Sequence, residues 1–592
     1  MAKRSSAGHL NKDRRPVTTE TPPRRPWLVV VLLVLLGALT FAAFAPSLAG
    51  SFLNWDDDRN LINNAAYRGL GTEQLKWAWH TYHLGVWQPL SWMLLGAEYL
   101  IGESAGVGGM NPAVYRWASL LLHAANVAVF FFLVVALLRA GPPAAERVSS
   151  TVIYLCAAAA AALFGVHPLR VEVVAWTSCQ PYLPASLFYM LAVWAYLRYA
   201  RSATFRGQAL WLMIVIVCYF LAVASKAAAV SLPAVLLVLD VYPLRRRRQT
   251  GNSWPATIVR ILGEKLPLVL VAILVSIWAA AAKDFSETRL PFSAAQLGAR
   301  AAQAACGLIF YMEKTIAPVN LCAYYRLPAN LSLLVWPYYA AVVGALALTV
   351  VLIRRRKREP DMLAAWVVYV VIVLPNLGLV QISQQLAADR YGYLAIMPVM
   401  VLLAGGLVKL SSTLKRRARP ILGVLMVAVC AAVAVLVWDT RRQTKTWHDS
   451  VTLWNRVLEL DPECAVAECN LGVALFQRNQ MREASRHISQ AINLDPQFAW
   501  AYSNLGVVFL KAGLFKDAVT AFERALAAEP PLPPADRAKI HAGLGEAYVN
   551  LQQYGPAWQH TLEAKRLGFA QAEKMIEYLK GVAPGGGKSE RR

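Results

Sequence analysis

Residues 461–496 read DPECAVAECNLGVALFQRNQMREASRHISQAINLDP, and the pattern of this stretch returns further along the chain. Its central pair Leu471-Gly472 recurs as Leu505-Gly506, 34 residues later. Further positions keep this spacing: Asp461-Pro462, Asp495-Pro496 and Glu529-Pro530; Ala484 and Ala518; Ile488 and Phe522; Ala491 and Ala525. A fixed period of about 20 to 50 residues indicates small helical units that stack and bury their apolar faces against one another.

A 34-residue period, with small residues where paired helices approach and bulky ones between them, is typical of the tetratricopeptide repeat (TPR). A third copy is offset by a proline-rich insertion around residues 530–535, and it lacks the closing proline. It carries Leu544, Gly545, Tyr548, Ala557 and Ala564. We therefore predict an α-solenoid of TPRs over residues 439–580 that ends in a cap, and a flexible tail over residues 581–592.

Upstream of residue 439 the chain is much more apolar. Of its 592 residues 57% are hydrophobic, more than one aqueous core of this length needs, so lipid should solvate most of residues 27–438. Candidate membrane helices lie near residues 27–48, 115–138, 150–166, 182–199, 208–224, 228–243, 262–282, 334–353, 362–380, 394–411 and 420–438. The first run is of spanning length, so we expect it to be retained rather than cleaved as a signal peptide.

The net charge of +24 would suggest nucleic acid in a soluble protein, but the lysines and arginines stand in short clusters between apolar runs. This positive-inside pattern argues against nucleic-acid binding. It assigns the basic tail 1–26 and the clusters 245–248, 354–358 and 415–419 to the cytoplasm. The eight cysteines are scattered singly, without metal-like spacing, and they indicate no redox role.

The run 298–319 conflicts with a simple alternation of spans. It carries Glu313 and Lys314 in its middle, and such charges are unfavourable at the centre of a bilayer, so we interpret it as an interfacial or re-entrant helix. The prediction is then an all-α, polytopic membrane bundle of about 11 spans. The first outer loop (residues 49–111) and the TPR domain lie on the outer face of a bacterial-type inner membrane, and the N-terminus is cytoplasmic.

Seven stretches together carry a family resemblance. They are Phe52-Leu-Asn-Trp-Asp-Asp-Asp58, Gln88-Pro-Leu-Ser-Trp92, His167-Pro-Leu-Arg-Val-Glu-Val-Val-Ala-Trp176, Ser225-Lys226, Leu239-Asp-Val-Tyr-Pro-Leu-Arg245, Ala388-Asp-Arg-Tyr-Gly-Tyr-Leu394 and Thr446-Trp-His-Asp-Ser450. In this order they resemble the GT-C membrane glycosyltransferases with C-terminal TPRs, relatives of the transmembrane and TPR containing O-mannosyltransferases. The resemblance covers nearly the whole chain.

The resemblance implies transfer of a sugar, for which we favour mannose, from a polyprenyl-phosphate donor to a protein or glycan hydroxyl on the outer face. In the family the acidic pair of the first outer loop is the catalytic centre, and it aligns with Asp56 and Asp57. The chemistry independently needs a carboxylate to take the acceptor's proton and cations to stabilise the departing phosphate. The alternative is that the three aspartates cap a helix near Arg59 or form an Asx turn.

Two outer cations are candidates for binding the donor phosphate. Arg390 stands in a short outer loop, where its guanidinium can grip phosphate bidentately. The alternative is an interfacial arginine paired with Asp389. Lys226 stands alone between two apolar runs, and the sequence fits phosphate binding and interfacial anchoring equally well.

His167 and Glu172 form a candidate second-loop site. An acid here would assist catalysis or hold a divalent metal together with the first-loop aspartates, whereas the alternative is a structural histidine at a helix end. The metal requirement stays open. The chain also departs from the family at residues 177–182, where relatives carry a cation followed by an aspartate, and at Gln88, where they often carry arginine.

The aromatic residues of the first outer loop fit a membrane-interface belt better than sugar stacking; they are Trp77, Trp79, Tyr82, Trp87 and Trp92. In the leading hypothesis the TPR groove recruits a protein acceptor. A second hypothesis is a non-catalytic membrane scaffold that assembles envelope proteins through the TPRs, and the departure at residues 177–182 favours it. A transporter ranks last, because charges inside the spans are few.

Overall fold

The computed structural model describes residues 25–141, 148–246, 254–285, 297–379 apart from positions 329, 330, 334 and 337, 385–413 and 419–583. Within these residues every regular element is helical, and extended backbone pairs only in an isolated bridge between Arg326 and Gln385. The predicted all-α fold is therefore confirmed. Most of the basic tail, parts of the clusters at 245–248 and 415–419, and most of the predicted flexible tail lie outside the described residues.

The helices before the repeats are rich in Leu, Val and Ala and satisfy their backbone polar groups internally, as lipid requires. They are α1 (Pro26–Phe44), α2 (Thr72–His80), α3 (Pro89–Ser104), α4 (Pro112–Ala140), α5 (Ser150–Gly165), α6 (Val171–Ala175), α7 (Tyr182–Arg201), α8 (Phe205–Ser225), α9 (Leu232–Val241), α10 (Trp254–Phe285), α11 (Leu297–Ile316), α12 (Tyr338–Arg355), α13 (Pro360–Val373), α14 (Gly392–Ala395), α15 (Met397–Thr413) and α16 (Arg419–Thr446).

Several helices in the described residues are long and apolar enough to cross a membrane. Five qualify singly: Pro26–Ala49, Pro112–Ala140, Phe205–Ser225, Tyr338–Arg355 and Pro420–Thr446. Two bent pairs raise the number to seven if each is one span: Ser150–Gly165 with Pro168–Ala175, and Asp389–Ala395 with Met397–Thr413. The count of about 11 spans stays a prediction. The amphipathic run near residues 298–319 forms α11, which is not among these candidates.

The first outer loop is more ordered than its polar sequence suggested. It contains α2 and α3, and α3 packs against α4 and α8. The buried face of α3 presents Trp92 and Leu95 to an apolar cluster with Tyr67 and Tyr115. The loop therefore has a small core of its own beside the long apolar helices.

The C-terminal helices pair in the order that the repeat spacing predicts. They are α17 (Ser450–Leu460), α18 (Ala465–Gln477), α19 (Met481–Leu494), α20 (Ala499–Lys511), α21 (Phe515–Ala527), α22 (Pro534–Asn550), α23 (Tyr554–Arg566) and α24 (Ala572–Val582). Helix α18 packs on α19, α20 on α21, and α22 on α23. A Cβ on Gly472 would come within 2.5 Å of Ile488 Cγ1, which explains why the repeat keeps glycine there.

The repeat domain touches the loop that follows α1. Asn54 donates its side-chain amide to the carbonyl of Asn470 on α18, at 2.8 Å. The indole of Trp454 on α17 donates to the Asn54 side-chain oxygen, at 2.7 Å. These contacts place the aspartate triplet (Asp56, Asp57 and Asp58) on the same side of the molecule as the repeats.

Candidate active site

Asp57 is fully buried and held by three donors. The Leu53 N–H donates to its Oδ2 at 3.0 Å, and the Ser178 N–H and hydroxyl donate to its Oδ1 at 2.9 and 2.5 Å. Burial raises the pKa of Asp57 to about 6, and the hydrogen bonds from Ser178 and Leu53 limit that rise. Both oxygens are thus occupied, and Asp57 ties the first outer loop to the second.

Asp56 differs from its neighbour in backbone conformation and in hydrogen bonding. Its backbone lies in the left-handed region, with φ of 68°, which a non-glycine residue adopts only where its surroundings impose it. Within the described part of the chain its half-buried carboxylate makes no hydrogen bond or ion pair. Burial raises the pKa of Asp56 above the ordinary 3.8; Arg59 opposes this rise and Asp58 adds to it.

Two further cations act on the same carboxylate. Arg390 and Lys226 both lower the pKa of Asp56, so both lie within electrostatic reach of it. The same two cations lower the pKa of the nearby Cys179 thiol, which burial raises. Arg390 and Lys226, which the sequence analysis selected with Asp56, are therefore close enough to influence its ionisation.

The predicted helix-capping role of the aspartates finds no support at this turn. Residues Asp58–Ile62 form a short π-helical turn, and its N-cap residue Asp57 makes no side-chain cap hydrogen bond. One oxygen of Asp58 is buried without a hydrogen-bond partner. The triplet thus consists of one structural carboxylate, one unpaired carboxylate and one partly satisfied carboxylate.

Arg390 pairs with Glu172 rather than with its neighbour Asp389. Its backbone N–H donates to Glu172 Oε2 at 2.6 Å, and its guanidinium forms an ion pair with Glu172 Oε1. Asp389 instead accepts from the Tyr325 hydroxyl at 2.8 Å. The guanidinium also lies over the rings of Trp176 and Tyr391, with centroid distances of 5.7 and 4.8 Å. The arginine is oriented by these groups and stays partly exposed, at 13%.

Lys226 is held by a hydrogen bond to Gln88. Its ammonium donates to Gln88 Oε1 at 3.0 Å and lies 5.4 Å from the centroid of the Tyr182 ring. Lys226 follows directly after α8, and Gln88 precedes α3. Helices α3 and α8 pack against each other, which fixes the position of this cation.

His167 and Glu172 are not arranged as a metal site. His167 is buried, with Nε2 bonded to the Thr315 carbonyl at 3.1 Å and Nδ1 accepting from the Leu169 N–H at 3.3 Å. Both ring nitrogens are engaged with backbone, and Glu172 is committed to Arg390. Among the residues that the structure describes, no group of three His, Cys, Asp or Glu side chains is placed to hold a metal ion.

Residues 177–182 have a defined structural role. Ser178 holds Asp57, and it also accepts from the Asn60 side chain at 3.1 Å. The Gln180 amide donates to Glu98 Oε1 at 2.8 Å and to Ser119 Oγ at 3.1 Å. The neutral side chains of Ser178 and Gln180 thus tie the second loop to the first.

The aromatic residues of the first outer loop do not all fit the expected interface belt. Trp92 is 1% exposed and meets Trp77 edge-on, with ring centroids 5.1 Å apart. Trp87 is nearly buried against Trp79 and the Trp278 ring of α10. These rings pack against one another and against α10.

The repeat domain closes one side of the site. Arg59, three residues after Asp56, forms an ion pair with Asp536 of α22 at 3.2 Å. Its guanidinium also lies 5.3 Å from the ring centroid of Trp500 on α20. The first helices of successive repeats therefore face the loop that carries Asp56.

Two residues that hold this site escaped the sequence analysis. Ser178 gave no signal, because a lone serine in a loop is unremarkable in sequence. Arg116 stands inside the apolar helix α4, and it donates to the carbonyls of Ser47 at 3.1 Å and Ala175 at 2.7 Å. A charge within an apolar helix is by default a candidate for a specific role, so this signal was present.

Comparison with known families supports the prediction that the C-terminal domain consists of TPRs. One model, described as TPR repeat, matches residues 472–513, and another, described as Tetratricopeptide repeat, matches residues 503–557. The chain therefore carries TPRs, as predicted, and such repeats commonly bind protein partners.

No curated protein sequence matches the chain. Among solved structures, it is similar to the crystal structure of the APC/C hetero-tetramer Cut9-Hcn1, with 14% identity over 83% of this chain and 89% of that chain. The TM-score of 0.23 is too low to support an argument about fold or function.

Proposed function

We propose that this chain is a membrane glycosyltransferase. It moves a sugar, with mannose favoured, from a polyprenyl-phosphate carrier to a protein or glycan hydroxyl at the outer face of the membrane. The proposal joins the family resemblance of the sequence to one observation. Asp56, Lys226 and Arg390 come from three distant parts of the chain, and both cations act on the same carboxylate.

The geometry favours Asp56 over Asp57 as the base. A general base must be free to accept a proton, and both oxygens of Asp57 already accept hydrogen bonds from Leu53 and Ser178. The carboxylate of Asp56 has no such partner within the described residues. Burial raises the pKa of Asp56, which makes it a stronger base than an ordinary carboxylate.

The proposed reaction is a single displacement with inversion. Asp56 takes the proton from the acceptor hydroxyl while the oxygen of that hydroxyl attacks the anomeric carbon. The bond between that carbon and the phosphate oxygen breaks, and the lipid phosphate leaves with the electron pair. Arg390 and Lys226 stabilise the negative charge that develops on the phosphate.

The repeats supply the acceptor in this proposal. TPR stacks expose a groove that binds peptides, and here the first helices of the repeats contact the loop of Asp56 through Arg59, Trp500 and Asp536. A peptide held along those helices would end near the base. The partners are then a polyprenyl-phosphate-linked sugar in the membrane and a protein on its outer face.

The first prediction tests the base directly. Asp56→Asn keeps the shape of the side chain but removes its basicity, so transfer should fall by about 100-fold or more. The measurement is the glycan profile of envelope proteins by mass spectrometry, in cells that express the variant at the same membrane abundance. Glu73→Gln, which neutralises an exposed carboxylate elsewhere in the first outer loop, is the control and should leave the profile unchanged. An unaltered profile with Asp56→Asn would remove the enzyme proposal.

A scaffold that assembles envelope proteins through its repeats is the second candidate. The observation in its favour is that the matching family models cover the repeats and residues 177–182 lack the family's charge pair. It predicts that Asp56→Asn changes nothing, whereas loss of the repeats releases the bound proteins. The same glycan measurement therefore separates the two candidates.

A further inference from the structure

A cavity of about 410 Å³ lies at the end of the helical bundle opposite Asp56. Its walls come from α4, α7, α9, α13 and α15, and its lining is mostly aliphatic. On α4 it spans residues 130–138, whereas Arg116, which contacts the loops of the candidate active site, stands near the other end of that helix. The volume falls within the ~300–1,000 Å³ of typical ligand sites.

The cavity has the depth of one membrane leaflet. Along α13 its lining runs from Asp361 to Ile372, and along α15 from Lys409 to Met397. At ~1.5 Å per residue each run is about 17 Å long, and one leaflet of the hydrocarbon core is about 15 Å thick. The charged residues lie at one end of both runs and the apolar residues along the rest.

The mouth of the cavity carries an excess of positive charge. Its charged lining consists of Arg245, Lys357, Arg358, Lys409 and one carboxylate, Asp361. Within the described part of the chain none of the four cations forms an ion pair, and Lys357, Arg358 and Lys409 are exposed. Arg245 lies 5.6 Å from the centroid of the Tyr242 ring, and none of the four has a carboxylate partner among the described residues. Such cations at the mouth of an apolar cavity favour an anionic headgroup attached to a hydrocarbon chain.

We infer that this cavity binds one anionic phospholipid of the cytoplasmic leaflet. One acyl chain lies between α4, α7, α9, α13 and α15, and the phosphate lies among the four cations at the mouth. The positive-inside rule assigns this end to the cytoplasm, since the 354–358 cluster stands there. The site is separate from the proposed active site, and the two share only the orientation of the chain in the membrane.

Charge at the mouth is tested with two matched pairs of substitutions. Lys357→Gln with Arg358→Gln removes two lining cations, and Arg354→Gln with Arg356→Gln removes two exposed cations of the same cluster that do not line the cavity. The purified full chain is titrated with phosphatidylglycerol, and bound lipid is counted by native mass spectrometry. The first pair should weaken binding roughly 30-fold, since each cation near an anionic lipid contributes about a factor of five, and the second pair should not.

The apolar part is tested by filling it. Gly405 lines the cavity and a Cβ there has only Leu138 Cδ2 nearby, at 4.0 Å, so Gly405→Leu should occupy the space of the acyl chain. Gly406→Leu is the control, because a Cβ on Gly406 meets nothing within 4 Å and Gly406 does not line the cavity. The site is supported if Gly405→Leu loses phosphatidylglycerol binding and Gly406→Leu keeps it. Thermal unfolding checks that both variants fold. If Gly405→Leu does not fold, the two pairs of substitutions at the mouth test the site on their own.

Two comparisons would overturn the inference. Equal binding of phosphatidylglycerol and phosphatidylcholine would show that charge at the mouth selects nothing. Displacement of the lipid by inorganic phosphate alone would show that the site recognises a free anion rather than a lipid. Equal losses of phosphatidylglycerol binding in both substitution pairs would likewise show that only the net charge of the protein matters.

Discussion

At the residue scale, the adjacent residues Asp56 and Asp57 have different hydrogen bonding and therefore different proposed roles. Asp57 faces inward, where Leu53 and Ser178 hold it, so it acts as a link between two loops. Asp56 has a left-handed backbone and does not share those donors. Burial raises its pKa, and Arg59, Arg390 and Lys226 oppose that rise. The sequence motif contains both residues but does not say which one is free.

The pH dependence of the proposed reaction follows from the charges around Asp56. A general base works only when ionised, so transfer should fall as the pH drops through the raised pKa of Asp56. Lys226 lowers that pKa, and Lys226→Met should therefore move the acid limb of the rate profile to higher pH. Lys226→Arg keeps the charge and should leave the limb in place. A limb that stays put, or moves to lower pH, in Lys226→Met would contradict this assignment.

A second residue-scale prediction concerns the link between the loops. Ser178→Ala removes a hydroxyl donor from Asp57, and at pH 7, above the pKa of about 6, the carboxylate is ionised in the folded protein. The loss should lower the free energy of unfolding by about 2 kcal/mol. Below pH 6 the folded protein holds Asp57 protonated, so the loss should shrink.

The measurement for this link is the thermal unfolding midpoint of the purified chain at pH 7 and pH 5. Ser186→Ala is a matched control, because the Ser186 hydroxyl is buried without a hydrogen-bond partner. Its removal should change the midpoint little at either pH. Equal losses in the two serine variants would mean that Ser178 does no more than fill space.

At the element scale, the repeats show why the 34-residue pattern keeps small residues at fixed places. Helices α18 and α19 approach so closely at Gly472 that a Cβ there would come within 2.9 Å of the Ala484 carbonyl oxygen. Backbone cannot yield as a side-chain end can, so glycine at this position is a packing requirement. At Gly506 the obstacle is a buried side chain instead, because an added Cβ would lie 2.6 Å from the Phe522 ring.

This requirement gives an element-scale prediction. Gly472→Ala should destabilise the pairing of α18 with α19 by about 1–3 kcal/mol through overpacking. Gly555→Ala in α23 is the control, since a Cβ there meets nothing within 4 Å. Limited proteolysis of the full chain measures the effect, with faster cleavage expected between residues 465 and 494 in the first variant. Equal cleavage rates in the two variants would show that α18 can shift to accept the methyl group.

At the scale of the whole molecule, the repeats are docked onto the first outer loop. The orientation of the chain in the membrane therefore decides on which side both the repeats and Asp56 lie. Asn54 and Arg59 contact the repeats, so Asp56 and the repeats share one side. The cavity with its cationic mouth lies at the other end of the bundle. A chain that spans a membrane with this arrangement presents the two proposed sites to different leaflets.

Reporter fusions test that arrangement. Alkaline phosphatase fused after Ala583 should be active, because it folds only outside the cytoplasm, and a fluorescent protein at the same position should stay dark. Fusions after Arg356, within the basic cluster, are the control and should give the opposite pair of results. A fluorescent signal after Ala583 would place the repeats and Asp56 in the cytoplasm and end the proposed reaction on the outer face.

The sequence by itself determined what depends on local pattern. A 34-residue period is a property of neighbouring side chains, so the repeats and their register are confirmed. Long apolar runs must form helices wherever they meet lipid, so the all-α fold is confirmed, whereas the number of spans stays a prediction.

Only the tertiary structure decided which residues meet. That Asp57 is held by Ser178, that Arg390 pairs with Glu172 rather than Asp389, and that Lys226 reaches Gln88 all depend on helices far apart in the chain. Sequence separation carries no distance information at this range, because each contact is set by how whole helices pack. The physical reason is that burial and pairing energies act through space, while a motif records only order along the chain.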